Sequence, residues 1–191
     1  MIINKVAITG YKAQELGIFQ EDHPGVRVIQ QALEEKLRSL IEQGLEWVLL
    51  SGQLGVETWA ADVVISLQKE FPQLHFAIIT PFLEQEKNWN DAKKEKYQEI
   101  MQHANFTSSI TNRPYEAPWQ FIEKNKWFLT HSDALLIVYD DENEGSPKYM
   151  YELAQKYMEN HAYECIKIDA YDLQMIAEEI QMKEWDNQHD F

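Results

Sequence analysis

The fold is decided by residues 47–70, which read WVLLSGQLGVETWAADVVISLQKE. Residues 47–50 are all apolar, which is typical of a short buried strand, and Ser51 and Gly52 end it. Between residues 56 and 70 the apolar side chains recur at the spacing of one helical face, and Pro72 prevents the helix from continuing. The stretch therefore predicts a strand, a glycine-bearing turn and a helix, which is the repeating unit of an α/β fold.

The same alternation runs along the rest of the chain. Apolar runs predict further strands at residues 5–9, 75–80, 106–110, 134–139 and 165–168. Helical spacing or a first-turn proline predicts helices from Pro24 to Gly44 and at residues 90–103, 118–131 and 147–160. Nearly continuous apolar strands separated by helices predict a Rossmann-like, doubly wound, mainly parallel sheet flanked by helices. We expect one domain over residues 1–191, with residues 170–191 peripheral and ending in a short helix.

Composition limits the partners and the location of the protein. The chain carries 32 acidic against 17 basic residues and a net charge of −15, which argues against nucleic acid as a partner. No apolar run approaches the ~20 residues that span a bilayer, and the N-terminus shows no signal-peptide pattern. The single cysteine, Cys165, excludes an internal disulfide framework and is typical of a reducing compartment. These observations predict a cytoplasmic protein that binds a small molecule or another protein.

The turn at residues 51–57 is the first candidate binding site. In parallel sheets ligands bind beyond the carboxyl ends of the strands, and glycines let a ligand approach the backbone closely. The following helix directs its free amide groups and the positive end of its dipole towards this position, which favours phosphate or carboxylate. We expect Ser51, Gly52, Gln53, Gly55 and Glu57 to contact the ligand. The alternative is that the glycines serve only the tight turn.

A second candidate turn lies at residues 140–148, after the most apolar predicted strand. Gly145, Ser146 and the Lys148 ammonium group are expected to complete an anion site, and Asp140 is expected to bind ribose hydroxyl groups. We expect the amide groups around Gly145 and Gly55 to converge on one hollow. The acidic residues at positions 141–144, after Asp140, favour a solvated loop over a divalent-cation site. No histidine or cysteine has metal-binding spacing.

The remaining candidates are single residues. Gly10 follows the first strand, with Tyr11 expected to stack on a base or sugar and Lys12 beside it. Trp89 lacks an evident role in the core and is a candidate stacking lid. Glu57 is the only acid placed for general acid–base catalysis, and its alternative role is to stabilise the first turn of its helix. No serine lies in a nucleophile elbow.

Seven stretches together resemble the YpsA family of Gram-positive bacteria, within the superfamily of the DprA and LOG proteins. They are AITGYK, ELGIF, GLEW, LSGQLGVE, ITPF with EQEKNW, RPYE and EGSPKYM, and the resemblance extends from about residue 5 to residue 156. It implies a Rossmann-like fold, a nucleotide-like ligand such as ADP-ribose or NAD, a link to cell division and a homodimer. The site residues that it implicates are Gly10, Gly52, Gly55, Glu57, Gly145 and Ser146.

Three functions follow as hypotheses. The first is a sensor or regulator that binds a nucleotide derivative without turning it over. The second is hydrolysis of a nucleotide N-glycosidic bond with Glu57 assisting; the glycine pair of the LOG turn is not reproduced around Gly145, which argues against this activity. The third is binding of single-stranded DNA, as in DprA, which the net charge of −15 disfavours.

Overall fold

The computed structural model describes residues 2–189 and shows strands and helices in regular alternation. The strands are β1 (Lys5–Gly10), β2 (Trp47–Leu50), β3 (His75–Thr80), β4 (Phe106–Ser109), β5 (Ala134–Val138) and β6 (Glu164–Ile168). The helices are α1 (Pro24–Glu42), α2 (Val56–Gln68), α3 (Asp91–His103), α4 (Trp119–His131), α5 (Pro147–Met158) and α6 (Ala170–His189), and a 3₁₀ turn covers Ala13–Leu16.

The six strands form one sheet in the order β4-β3-β2-β1-β5-β6, and every neighbouring pair is parallel. The chain moves from β1 outwards to β4 and then crosses back to β5, so its direction across the sheet reverses beside β1. Because such crossovers are right-handed, α1, α2 and α3 cover one face, and α4 and α5 cover the other. The prediction of a Rossmann-like α/β fold with a parallel sheet is confirmed.

The core is centred on β1 and its two neighbours in the sheet, β2 and β5. All five residues of β5 are buried, and Phe76 of β3 and Leu33 of α1 are among the largest fully buried side chains. Strand β4, at one edge, is largely exposed. The carboxyl ends of the central strands are therefore held by a rigid, fully packed support.

The C-terminal segment differs from the short helix that the sequence predicts. Helix α6 is 20 residues long and packs against α1, with only Ile176 and Ile180 buried. Two buried positions give little helical periodicity, which is why the sequence understates its length. Residues 190 and 191 of the expected segment lie outside the described range. No helix within residues 2–189 has the length and apolar character needed to cross a membrane.

Candidate functional site

An open cavity of about 510 Å³ lies beyond the carboxyl ends of β1, β2 and β3. Its walls are side chains from residues 12–21 after β1, residues 51–59 around the start of α2, residues 81–90 after β3, and parts of α3 and α4. This is the edge at which parallel sheets bind ligands, and the volume falls in the range of small-molecule sites. The cavity is therefore the candidate site.

The carboxylate of Glu57 closes the turn between β2 and α2 from inside. Its Oε2 accepts hydrogen bonds from the Ser51 amide (2.8 Å), the Ser51 hydroxyl (2.7 Å) and the Gln53 amide (3.3 Å). Its Oε1 accepts one from the Thr9 hydroxyl (3.0 Å), and the residue is only 3% exposed. The amide groups of Ser51 and Gln53 are thus occupied by the protein itself. Glu57 supports this turn from behind and does not line the cavity.

The glycines of this region allow two turns to pack directly on each other. Gly55 has a φ of +106°, and a Cβ there would lie 2.5 Å from the backbone nitrogen of Ala13 and the carbonyl oxygen of Tyr11. The Val56 amide donates to that same Tyr11 oxygen (3.1 Å). A Cβ on Gly10 would lie 2.7 Å from a methyl carbon of Val56. Gly10 and Gly55 are therefore required for the contact between the ends of β1 and β2.

The turn between β5 and α5 is also closed by a carboxylate, that of Glu15 in the 3₁₀ turn. Its Oε1 accepts from the Ser146 amide (2.7 Å), and its Oε2 accepts from the Ser146 hydroxyl (2.8 Å) and the Lys12 amide (2.7 Å). Neither Gly145 nor Ser146 lines the cavity. The expectation that the turns around Gly55 and Gly145 converge on one hollow is therefore wrong, because Glu15 fills the second turn.

Tyr11 ties the same two segments together and is buried (4% exposed). Its hydroxyl accepts from the Asp140 amide (2.9 Å) and faces the carbonyl oxygens of Asp140 (3.1 Å) and Asn143 (2.5 Å), to which it can donate. Burial raises the pKa of this phenol. Contrary to expectation, the Tyr11 ring is not exposed for stacking on a base or sugar.

Lys148 and Asp140 also lie away from the cavity. The Lys148 ammonium group pairs with Glu144 (3.0 Å) and Glu152 (3.8 Å), and the bond to Glu144 raises its pKa. An Asp140 carboxylate oxygen accepts from the Glu142 amide (3.1 Å). These groups are engaged within their own loop and helix.

The cavity is locally cationic although the protein is strongly acidic. Four lysines line it, against a single acidic residue, Glu21; the four are Lys12, Lys93, Lys96 and Lys124. Lys96 binds Asp62 (2.6 Å), whereas the other three make no ion pair with any described residue. Burial lowers the pKa of Lys124, with the positive charge of Lys12 acting in the same direction and Glu57 opposing both.

Trp89 lines the cavity and is held from behind. It is half-buried and packs edge-on against Tyr97, with ring centroids 5.3 Å apart. Gln85 of the same loop donates to the Ser51 carbonyl (2.8 Å) and to the Tyr97 hydroxyl (3.2 Å). The loop after β3 is thus fixed to the turn after β2, which presents Trp89 on a rigid support.

The structure brings together only part of the site that the sequence predicts. The predicted residues that line the cavity are Lys12, Ser51, Gln53, Gly55 and Trp89. Those packed behind its walls are Gly10, Tyr11, Gly52 and Glu57, and those in the turn after β5, outside the cavity, are Asp140, Gly145, Ser146 and Lys148. Sequence reasoning missed three of the lysines. Within residues 2–189 no cluster of acidic, histidine or cysteine side chains has a metal-binding arrangement.

Comparison with known proteins assigns the family. The YpsA model, described as the YspA SLOG family, matches residues 6–173. The chain belongs to the YpsA family. A UPF0398 protein of Lysinibacillus sphaericus is similar to this YpsA-family chain, with 62% identity over 178 residues that cover 93% of this chain and 99% of the relative. UPF0398 proteins of Bacillus cereus and Brevibacillus brevis are 53% and 48% identical over 182 residues, which cover 95% of this chain and 97% of each relative.

Membership of the SLOG family suggests a nucleotide-related role for the protein. The family match also reaches further towards the C-terminus than the seven sequence stretches do, to the first turn of α6. The resemblance drawn from the sequence is confirmed at the level of the family.

Proposed function

We propose that the protein binds a nucleotide or a nucleotide derivative of the ADP-ribose and NAD class in this cavity and acts as a sensor or regulator. The observation that carries the proposal is the concentration of four lysines in one cavity of a protein whose net charge is −15. A cleft of one charge sign raises the local concentration of ligands of the opposite sign. A small anion is therefore attracted to this cavity while a polyanion is repelled by the rest of the surface.

The start of α2 adds to this attraction. Leu54, Gly55 and Thr58 line the cavity, so the positive end of the helix dipole faces it. The cavity also offers flat apolar surface to a base. Trp89 provides one such surface, and the rings of Phe82 and Phe121, which meet edge to face with centroids 5.5 Å apart, add further apolar surface. Anionic and aromatic parts of one ligand are thus both accommodated.

In this proposal Glu57 is a positioning residue. Its four accepted hydrogen bonds fix the turn from which the ligand is contacted, and its burial keeps it from acting on a bound molecule. Binding without turnover is the behaviour expected of a regulator. We further propose that the protein is cytoplasmic and that its regulatory role is linked to cell division.

Isothermal titration of the protein with ADP-ribose, NAD and AMP tests the proposal. We expect at least one of these to bind, and the Trp89→Ala variant to bind it about tenfold more weakly because a stacking surface is lost. Trp185→Ala is the matched control, since Trp185 is exposed on α6 and does not line the cavity (62% exposed). Absence of binding across the panel by folded protein would contradict the proposal.

A further inference from the structure

The backbone anion sites of both glycine-bearing turns are filled by carboxylates of this chain. Glu57 takes the amides of Ser51 and Gln53, and Glu15 takes those of Ser146 and Lys12. A carboxylate that accepts charge-assisted bonds of 2.7–2.8 Å is a strong competitor for these donors. A ligand phosphate would have to displace it to use the same groups.

Two of the three cavity lysines without an ion pair among the described residues, Lys12 and Lys124, come from the segment after β1 and from α4. Lys124 of α4 lines the cavity and also a small void of about 10 Å³ that borders Thr9 and Glu57. It therefore lies between the buried carboxylate and the ligand space. Lys12, from the segment after β1, lines the same cavity, and its positive charge adds to the effect of burial in lowering the pKa of Lys124. Neither lysine has an ion-pair partner among the described residues.

The charge of Glu57 opposes the effects of burial and of Lys12 on Lys124, but its oxygens already accept hydrogen bonds from four donors of the surrounding turn and of Thr9, and Glu57 makes no ion pair with Lys124. Two neighbouring ammonium groups that face one space are held together by the fold against their repulsion. A group that carries two negative charges relieves this repulsion and satisfies both amines at once. A neutral ligand or a single weak dipole would not relieve the repulsion between the two ammonium groups.

We infer that the cavity recognises a diphosphate group through the side chains of Lys12 and Lys124, in place of the backbone amides of the glycine-bearing turns. This inference rests on the proposed function, since it specifies the charged part of the same ligand. It assigns the specificity for charge to α4 and to the segment after β1. The aromatic surfaces at Trp89 and Phe121 are left for the remainder of the ligand.

The test uses inorganic pyrophosphate, ADP and adenosine as probes in isothermal titration of the full chain. We expect Lys124→Met to weaken the binding of pyrophosphate and ADP about tenfold or more, because a charged hydrogen-bond donor is lost, and to leave adenosine unaffected. Lys124→Arg keeps the charge and should stay within about threefold of the wild type. Lys126→Met is the matched control, since Lys126 lies on the same helix and pairs with Glu123 (3.0 Å) in solvent.

The outcomes separate this inference from the proposed function. If ADP binds and Lys124→Met binds it equally well, the lysine assignment is wrong and the proposed function stands. If pyrophosphate binds in a Lys124-dependent way and the nucleoside part of ADP adds nothing, the lysine assignment stands and the proposed function is wrong. Failure of all three probes with folded protein overturns both. Should Lys124→Met not fold, Lys12→Met gives the same comparison.

Discussion

The two glycine-bearing turns of this protein each lead from a strand into a helix but are built differently. The turn after β2 is closed by Glu57, six residues from Ser51 and within the helix that the turn begins. The turn after β5 is closed by Glu15, which lies 131 residues from Ser146 along the chain. The first turn lines the cavity and the second does not. A carboxylate from within the turn thus preserves a preformed wall, whereas one from a distant segment ties two parts of the fold together.

Gly55→Ala should produce the largest effect, because it separates the two turns that pack at the end of β1. A Cβ at Gly55 meets backbone atoms of Ala13 and Tyr11 at 2.5 Å, and the residue also has a positive φ. We expect the free energy of unfolding to fall by about 3 kcal/mol or more, as measured by urea denaturation.

Gly17→Ala measures the cost of a left-handed backbone where no contact is lost. Gly17 has a φ of +66°, and nothing lies within 4 Å of a Cβ placed there. Its replacement should cost only about 1 kcal/mol. A loss at Gly55 no larger than that at Gly17 would show that the contact between the turns contributes little to stability.

Glu57→Ala tests the locally closed turn. Removing the carboxylate leaves the Ser51 and Gln53 amides and two hydroxyl groups without their acceptor in a buried place. We expect a loss of about 2–3 kcal/mol in the free energy of unfolding. Glu57→Gln keeps one strong acceptor and should lose about half as much. If the alanine variant is as stable as the wild type, Glu57 does not hold this turn.

Glu15→Ala tests the turn closed from a distance and should have a smaller effect, because Glu15 is only half-buried and water can replace it. We expect a loss of about 1 kcal/mol. Hydrogen exchange is the sharper measurement, since the amides of Ser146 and Lys12 both lose their acceptor and should exchange faster. If only one of the two amides exchanges faster in the Glu15→Ala variant, Glu15 does not link the two segments.

How much the sequence could predict differs between these regions for a physical reason. The strands, the helices and the edge of the sheet that holds the cavity follow from apolar spacing and from the rules of parallel sheets. The closure of the second turn does not, because Glu15 and Ser146 meet only after β1 and β5 have paired. The burial of Tyr11 escaped prediction in the same way, since its partners follow β5.

The two lysines of residues 123–127 in α4, EKNKW, also show that tertiary packing limits what the sequence can predict. Lys124 and Lys126 are equivalent by composition and by helix propensity. The helix turns Lys124 towards the cavity and Lys126 towards Glu123 and solvent. Only the rotation of α4 on the sheet decides which of the two faces a ligand, and that rotation is set by burial of Phe128 and Leu129.

Binding of an anion in the cavity should depend modestly on pH, and the source of this dependence is Lys124. Burial and Lys12 lower the pKa of Lys124 in the free protein, and Glu57 opposes them. The other charged groups of the cavity are Glu21, Lys93 and Lys96. A bound anion raises the pKa of Lys124, so affinity is full below the pKa of the free protein.

Affinity should then fall by a few-fold as pH rises from the free-state pKa of Lys124 to its bound-state pKa, because binding in this window requires uptake of a proton. Titrations with pyrophosphate in buffers of different ionisation enthalpy measure the total proton uptake, which includes any proton exchanged by pyrophosphate itself. The uptake due to Lys124 is the difference between the wild type and Lys124→Arg, since guanidinium stays charged up to about pH 12. Equal proton uptake by the two proteins throughout the pH range would show that Lys124 is not the titrating group.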